Sequence, residues 1–476
     1  MDMQAVRAVV AEMWDSHVLP SLSRFIEIPA VSPSFDSSWA EAGHLRAGVD
    51  HVADWIRSRD LPGTHIEVVQ FEGRSPLLLV EVPGTGEAER SGSVLLYGHL
   101  DKQPPLGDWS EGLGPWTPVL RDGRLYGRGV VDDGYSGYLA VTALEALRAA
   151  GGSHARAFLL LETGEESGSP DLPVYLTHLS ERLGDVSLVI CLDAGGGSDY
   201  ERLWLTTSLR GLLKATVTVT VLETPTHSGL ASGIVPSSFR IMRQLLDRIE
   251  DPATGEIRIP EMHGPIPSER REDAEVAAAE APGTLARQYP IVPGMRPTSD
   301  NDVELILNNT WRPTLSVTGA AGLPDVKEAG DVLRSSTSLR LSIRTAPTAD
   351  VEAARAALDK ALTTNAPHGA HVQVGDYVTG HGYSAPSPAP WLADALNALE
   401  GAVFAKSYRR LALGAGIPVM ELLGRTYPQA DFLSTGALGA DNNVHVPDEW
   451  LHIGFAKKVT EALARVLDAH GRRFRT

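Results

Sequence analysis

Three short apolar runs, at residues 94–97, 155–162 and 186–192, constrain the fold more than any other feature of this sequence. Each suits a buried strand: the runs are short, dominated by aliphatic residues, and end in glycine or charged side chains. A helical pattern at 138–149, with Leu139, Ala143, Leu144 and Leu147 on one face, lies between the first two. Apolar strands alternating with helices predict an α/β sheet covered on both faces. Ligands of such sheets sit beyond the carboxyl ends of the strands. The first run is followed by Gly98, His99 and Asp101, the second by Glu165 and Glu166, and the third by Asp193. Gly98 is expected to let the backbone bend, and Pro104-Pro105 to stop the strand.

The rest of the chain divides around these runs. At 476 residues it exceeds the roughly 250–300 at which single cores stop growing, so two domains are expected. Helices are predicted at 5–25, 40–57, 391–405 and 460–470, with short strands at 65–69 and 77–82. A different pattern starts near Arg210. Residues 214–221 alternate strictly, 237–249 is helical, and strands at 314–317 and 338–344 precede a helix at 351–363 and a strand at 372–378. That order, strand–helix–strand–strand–helix–strand, matches a ferredoxin-like α+β domain. Residues 250–310 read as a polar insertion with a charged helix near 268–281, and Gly380-His381-Gly382 with the following prolines as a linker. The expected organisation is a mixed-sheet α/β catalytic domain, 1–209 and 384–476, interrupted by a ferredoxin-like α+β domain at 210–383.

Composition excludes several partners. The net charge of −18 argues against nucleic acid and anionic membranes. No apolar run approaches the roughly 18 residues that span a bilayer. Residues 1–20 hold no continuous apolar block, so no secretory signal is expected. Cys191, the single cysteine, sits inside an apolar run and reads as packing; with no possible intrachain disulfide, the chain is expected in the cytoplasm.

If Asp101, Asp132, Glu165, Glu166 and Asp193 converge beyond the sheet, five carboxylates repel one another, and burying each without a partner costs several kcal/mol. No adjacent Lys or Arg run offsets them. Two divalent cations would do so, with His99 and His445 as nitrogen ligands. Mixed N/O ligation suits Zn²⁺ first, with Mn²⁺ or Co²⁺ possible, and is too nitrogen-rich for Ca²⁺ or Mg²⁺. A carboxylate shared by two metals is a hydrolytic arrangement. The competing reading, exposed loop acids with no common purpose, suits any one of these residues better than all seven together.

The segments that carry these residues resemble the dinuclear-zinc M20 metallopeptidases, and most of all the carnosinase/cytosolic nonspecific dipeptidase branch. The resemblance runs through Tyr97-Gly98-His99-Leu100-Asp101, Leu125-Tyr126-Gly127-Arg128-Gly129 before Asp132-Asp133, Glu165-Glu166 with Gly168-Ser169, Asp193 and His445. It implies that Asp132 bridges two metals, with His99 and Asp193 completing one site and Glu166 and His445 the other. It further implies that Asp101 orients His99 and that Glu165 is the general base, taking a proton from water and returning it to the leaving amine. A cis peptide between Asp132 and Asp133 is also implied. His227, in Thr226-His227-Ser228-Gly229, would stabilise the oxyanion, across a dimer if the chain pairs through its inserted domain. Arg344, in Leu341-Ser342-Ile343-Arg344, would hold the substrate carboxylate, with a surface ion pair as the alternative. His381 matches a substrate-contacting position loosely and reads equally well as a linker histidine.

Departures concern the substrate. The family's Arg-Glu-Gly-Gly-Ser-Ile-Pro loop aligns with Ala412-Leu413-Gly414-Ala415-Gly416-Ile417-Pro418, so Gly416 replaces the substrate-touching serine and the charged pair is missing. Asp331 stands where dipeptidases have a threonine. The implied activity is metal-dependent hydrolysis of dipeptides or short peptides. Deacylation of N-acyl amino acids is the alternative within the family. An inactive binding protein is disfavoured because every ligand and Glu165 are present.

Overall fold

The computed structural model describes residues 1–473 apart from 198, 281, 415, 417 and 440. A six-stranded mixed sheet forms its centre, in the order His65–Val69, Leu77–Val82, Arg156–Glu162, Ser93–His99, Val186–Cys191, Asp431–Ser434. The first three strands pair antiparallel and the last four run parallel. Ser93–His99 is buried along its whole length, as an apolar run flanked by two parallel neighbours should be. Both faces are covered. Helices Ser136–Ala149 and Ile453–Arg472 contribute to the core on one side, and Leu172–Leu183 and Pro418–Thr426 to the core on the other. Among the described residues no helix is long and apolar enough to cross a membrane.

The outer sheet has the order Thr314–Ala321, Ser336–Thr345, Gly211–Thr220, His371–Gly380, antiparallel throughout. This is the ferredoxin-like order expected from the sequence. Helices Ser238–Ile249 and Val351–Thr363 share a core with Leu213, Ala215, Val217, Leu341 and Ile343 on one face. The alternate residues Leu212, Lys214, Ser342 and Arg344 therefore point to the opposite, half-exposed face.

Within 250–310 the charged helix runs Ser268–Glu280 and a second spans Asp302–Thr310. Both pack against strand Arg409–Leu413, where Ala274, Ile306, Leu307 and Trp311 meet Ala412. Flanking ion pairs join Glu280 to Arg202 and Arg409, and Asp273 and Glu269 to Arg410 and Arg270. The charges on that helix are thus largely paired rather than solvated.

Several expected elements change length. Residues 40–57 split at Gly43, whose φ of 70° ends one short helix before His44–Arg57 begins. The predicted helix at 391–405 is only Pro390–Asn397, followed by turns through the left-handed Gly401. The closing helix is longer than predicted, Ile453–Arg472, because His452 caps it by accepting from the Phe455 amide at 3.1 Å. The expected linker after Gly380 includes a strand, Tyr383–Ser384, paired with Trp204–Leu209.

Candidate active site

Gly98 does not bend its strand, which continues through His99. A Cβ at Gly98 would lie 2.5 Å from Asp133 Oδ2 and 2.2 Å from Ser136 Oγ, so glycine is required by close approach instead. That clearance brings the turn after Gly129 over the strand end. The His99 amide donates to Asp133 Oδ2 at 3.2 Å, and the Asp132–Asp133 peptide is cis.

Asp132 occupies the middle of the cluster. Its Oδ1 lies 3.1 Å from His99 Nε2 and its Oδ2 lies 2.8 Å from His445 Nε2. Asp193 Oδ2 is 3.9 Å from His99 Nε2, and Glu166 Oε2 is 3.3 Å from His445 Nε2. Two groups of potential ligand atoms result, each within 4.8 Å: His99, Asp132 and Asp193; and Asp132, Glu166 and His445. Their shared member is the residue expected to bridge. Among the described residues, the ion-pair contacts of these acids are all with histidine. Lys102, the nearest lysine in sequence, is buried with its ammonium directed at the carbonyls of Phe25 and Ile28, both at 2.8 Å.

The electrostatics are those of a cation site. Burial opposes charging of both imidazoles, but the facing carboxylates prevail, raising His445 to about 11 and His99 well above its ordinary value. Burial also raises Asp193 and Glu166, with Asp132 as the next largest contribution to each. Asp132 is pulled the other way: hydrogen bonds from His445 and His99 overcome its burial and hold it below the usual carboxylate range. Glu166 Oε2 accepts from Gln103 at 2.6 Å, while its Oε1 is buried without a partner. An N/O donor set with an orphaned carboxylate oxygen fits divalent metals.

Asp101 is placed somewhat differently from expectation. His99 Nδ1 lies 3.0 Å from the Asp101 carbonyl and 3.4 Å from its carboxylate. That carboxylate accepts from the Glu165 and Glu166 amides at 3.2 and 3.0 Å, so Asp101 ties the glutamate turn to the histidine. Glu165 belongs to neither ligand group, and its carboxylate has no hydrogen-bond partner among the described residues. Its pKa is well above the ordinary value, mainly through burial; His99 opposes the rise and Glu166 adds to it.

Arg128 and Glu449 are further residues whose contacts bear on the site. Both are almost wholly buried and meet at 2.7 Å. Glu449 accepts from the amides of Gly129 and Val131, at 3.1 and 3.2 Å, while Arg128 Nη2 donates to the Val446 carbonyl. The loop that carries Asp132 is thereby clasped to the loop that carries His445, itself left-handed at φ 65°. Arg128 stands in one of the quoted motifs and Glu449 four residues past His445, but nothing local distinguishes either from a surface charge. Asp133, fully buried and raised to about 8 by that burial, is likewise visible only once the fold is known.

The remaining candidates lie on or beside the outer sheet. His227 is exposed, in a two-residue strand paired with Val332–Leu333, and its Nδ1 accepts from the Gly229 amide at 3.1 Å. The Ser228 amide donates to the Asp331 carbonyl. Arg344 has no ion pair among the described residues, so the surface-pair alternative is absent there. Gly416 is beside it: a Cβ on Gly416 would be 3.9 Å from Arg344 Nη1 and 2.9 Å from the Arg210 carbonyl. Ala415 and Ile417 of the same loop lie outside the described residues. His381 is exposed just past the His371–Gly380 strand and makes no ion pair or ring contact among the described residues. None of these residues shares a ligand group with the carboxylates.

The profile of peptidase family M20/M25/M40 matches residues 95–469. The chain belongs to that family. Among its M20 relatives, a cysteinylglycine-S-conjugate dipeptidase of Corynebacterium striatum is 25% identical over 382 residues, covering 80% of this chain and 81% of the relative. A Beta-Ala-His dipeptidase of Rattus norvegicus is 28% identical over 308 residues, 61% of this chain and 58% of the relative. The solved structure of the dipeptidase Dug1p from Saccharomyces cerevisiae superposes with a TM-score of 0.78 over 99% of both chains at 21% identity, a likeness of fold.

Proposed function

We propose that this M20 chain hydrolyses the amide bond of dipeptides or short peptides at a two-metal centre. The observation that carries the reading is the divided carboxylate of Asp132, one oxygen facing His99 and the other His445. His99 and Asp193 would complete one metal site, Glu166 and His445 the second, and Zn²⁺ suits the donors best, with Mn²⁺ or Co²⁺ as substitutes. Two such ions, when bound, would supply Lewis acidity and a water of lowered pKa. Glu165 is free of both ligand groups and close to them, which suits a residue that takes a proton from the attacking water and hands it to the leaving amine. Asp101 fixes that glutamate through its amide contacts.

Residues 210–383 act in this reading as an inserted lid and dimerisation domain between 1–209 and 384–476. Arg344 takes the substrate's terminal carboxylate, flanked by Gly416, with His381 at the rim. The chain forms a homodimer in which His227 serves the partner's site. The apolar residues that follow His227 support an interface, since Leu230 and Ile234 are 77 and 81% exposed. The single, buried thiol suits a reducing cytoplasm.

A metal-reconstituted assay against dipeptides and against acetyl- and succinyl-amino acids tests the reading. Dipeptide turnover that stops with chelator and returns with zinc is expected. Glu165→Gln is expected to retain both metals and lose at least 10²-fold in kcat. Turnover confined to acyl-amino acids replaces the peptidase reading with a deacylase, and chelator-resistant activity sinks the metal centre altogether.

A further inference from the structure

Beyond the metal cluster, the end of the outer sheet holds two guanidinium groups with no acid between them. Arg210 is 6% exposed, yet none of its partners is a carboxylate. Its Nε donates to the Gly414 carbonyl at 3.0 Å, and Nη1 donates to Thr314 Oγ1 at 3.0 Å and to the carbonyls of Arg312 and Asn308 at 3.3 and 3.4 Å. Nη2 has no partner among the described residues. Thr314 is also the cross-strand neighbour of Arg344. Burial pulls Arg344 down, while burial and the charge of Arg344 together lower Arg210 to about 10. Two like charges held close in a sheltered site, both without counter-ions, are a standing cost that an anion removes.

A cavity of about 390 Å³ opens beside them, lined by Arg210, Tyr289, Ile291, Leu305, Asn309 and Thr314. Thr314 lines it, bonds Arg210 and is paired across the strands with Arg344, so Arg344 stands one residue from the lining. A Cβ at Gly414 would come within 2.6 Å of Asn309 Oδ1, and one at Gly416 within 2.9 Å of the Arg210 carbonyl. Gly414 and Gly416 thus come against Asn309 and Arg210 as bare backbone, and the apolar walls from Ile291 and Leu305 suit methylene groups.

We propose that this cavity selects substrates whose C-terminal residue is acidic: the α-carboxylate pairs with Arg344 and the side-chain carboxylate of a terminal glutamate or aspartate pairs with Arg210 Nη2. The inference rests on the peptidase reading for the orientation of the substrate and on Arg210 for its charge. A guanidinium kept for a carboxylate discriminates strongly against the neutral amide of the same size, because the unmatched partner is left buried.

Calorimetric binding of free glutamate and glutamine to the zinc-loaded chain tests this without requiring turnover, and kcat/KM for Ala-Glu and Ala-Gln adds the catalytic measure. Glutamate is expected to bind at least tenfold tighter, and Ala-Glu to be favoured at least tenfold, through KM. Arg210→Gln should erase both preferences. Because Arg210 also anchors backbone, Tyr289→Glu provides a second variant: Tyr289 is 56% exposed, and a carboxylate placed there should compete for Arg210 and likewise cancel the glutamate advantage. Equal binding of glutamate and glutamine by the wild type overturns the proposal, even if dipeptides are cleaved. Preferential glutamate binding with no dipeptide cleavage upholds the cavity and rejects the peptidase reading instead.

Discussion

Glu449 belongs to neither ligand group, yet its removal should be felt throughout the site. Glu449→Ala leaves Arg128 buried and unpaired behind two ligand-bearing loops. Breaking such a pair costs about 3–5 kcal/mol, and losing support behind metal ligands weakens affinity about 10–100-fold. Urea unfolding and zinc competition would register the two effects separately. Asp132→Ala should go further, since one side chain serves both ligand groups: elemental analysis should find the protein metal-depleted, and two ions per chain would refute a bridging role. The difference in legibility between these residues is physical. His99, Glu165, Glu166 and Asp193 could be picked out because each follows an apolar strand, so one local pattern locates all of them. Glu449 gains meaning only from Gly129, 320 positions away, and no local pattern encodes that contact.

The closing helix and the strands beneath it make a pH prediction. His470, in Ile453–Arg472, and His154, just before Arg156–Glu162, are both fully buried. Burial lowers them to about 3 and about 4, against an ordinary value near 6.5. A folded-state pKa below the unfolded one means that the unfolded chain binds the extra proton first. Stability is therefore intact above about pH 6.5 and falls as pH drops through the window towards 4. Each histidine contributes on the order of 3 kcal/mol across that range. His470→Leu should flatten the slope of the urea midpoint between pH 6.5 and 4 by about one proton; an unchanged slope would show that His470 is not held neutral. At this scale the sequence was informative where the apolar pattern was strong, as in the run at Leu77–Val82 and the helical spacing at Val351–Thr363, which lie where expected. It misjudged ends set locally: one helix stops at Asn397, before turns that include the left-handed Gly401, and the His452 cap starts another sooner. Nor did the apolar run at Leu77–Val82 reveal that the strand is antiparallel to its neighbour, since a buried run looks the same in either direction.

The two-sheet organisation carries the proposals about assembly. If His227 serves a partner's site, inactive His227→Ala and Glu165→Gln chains mixed in equal amounts should recover roughly a quarter of the wild-type rate, because half the dimers then regain one intact site. No recovery after verified subunit exchange would place His227 in its own chain's site or outside the reaction. The order of the outer sheet followed from the run of strands and helices, whereas the apolar skin around His227 did not, because exposure depends on what the rest of the chain leaves uncovered. The insertion's ion pairs also bear on motion. Helix Ser268–Glu280 is riveted to strand Arg409–Leu413, so the outer sheet does not hang from the central one by its two crossing strands alone. A ligand that draws the sheets together would have to swivel the Gly211–Thr220 and His371–Gly380 strands past a stationary buttress. Hydrogen exchange should then slow in those strands on ligand binding and stay level in the buttress, and molar salt, by loosening the rivets, should let all three breathe.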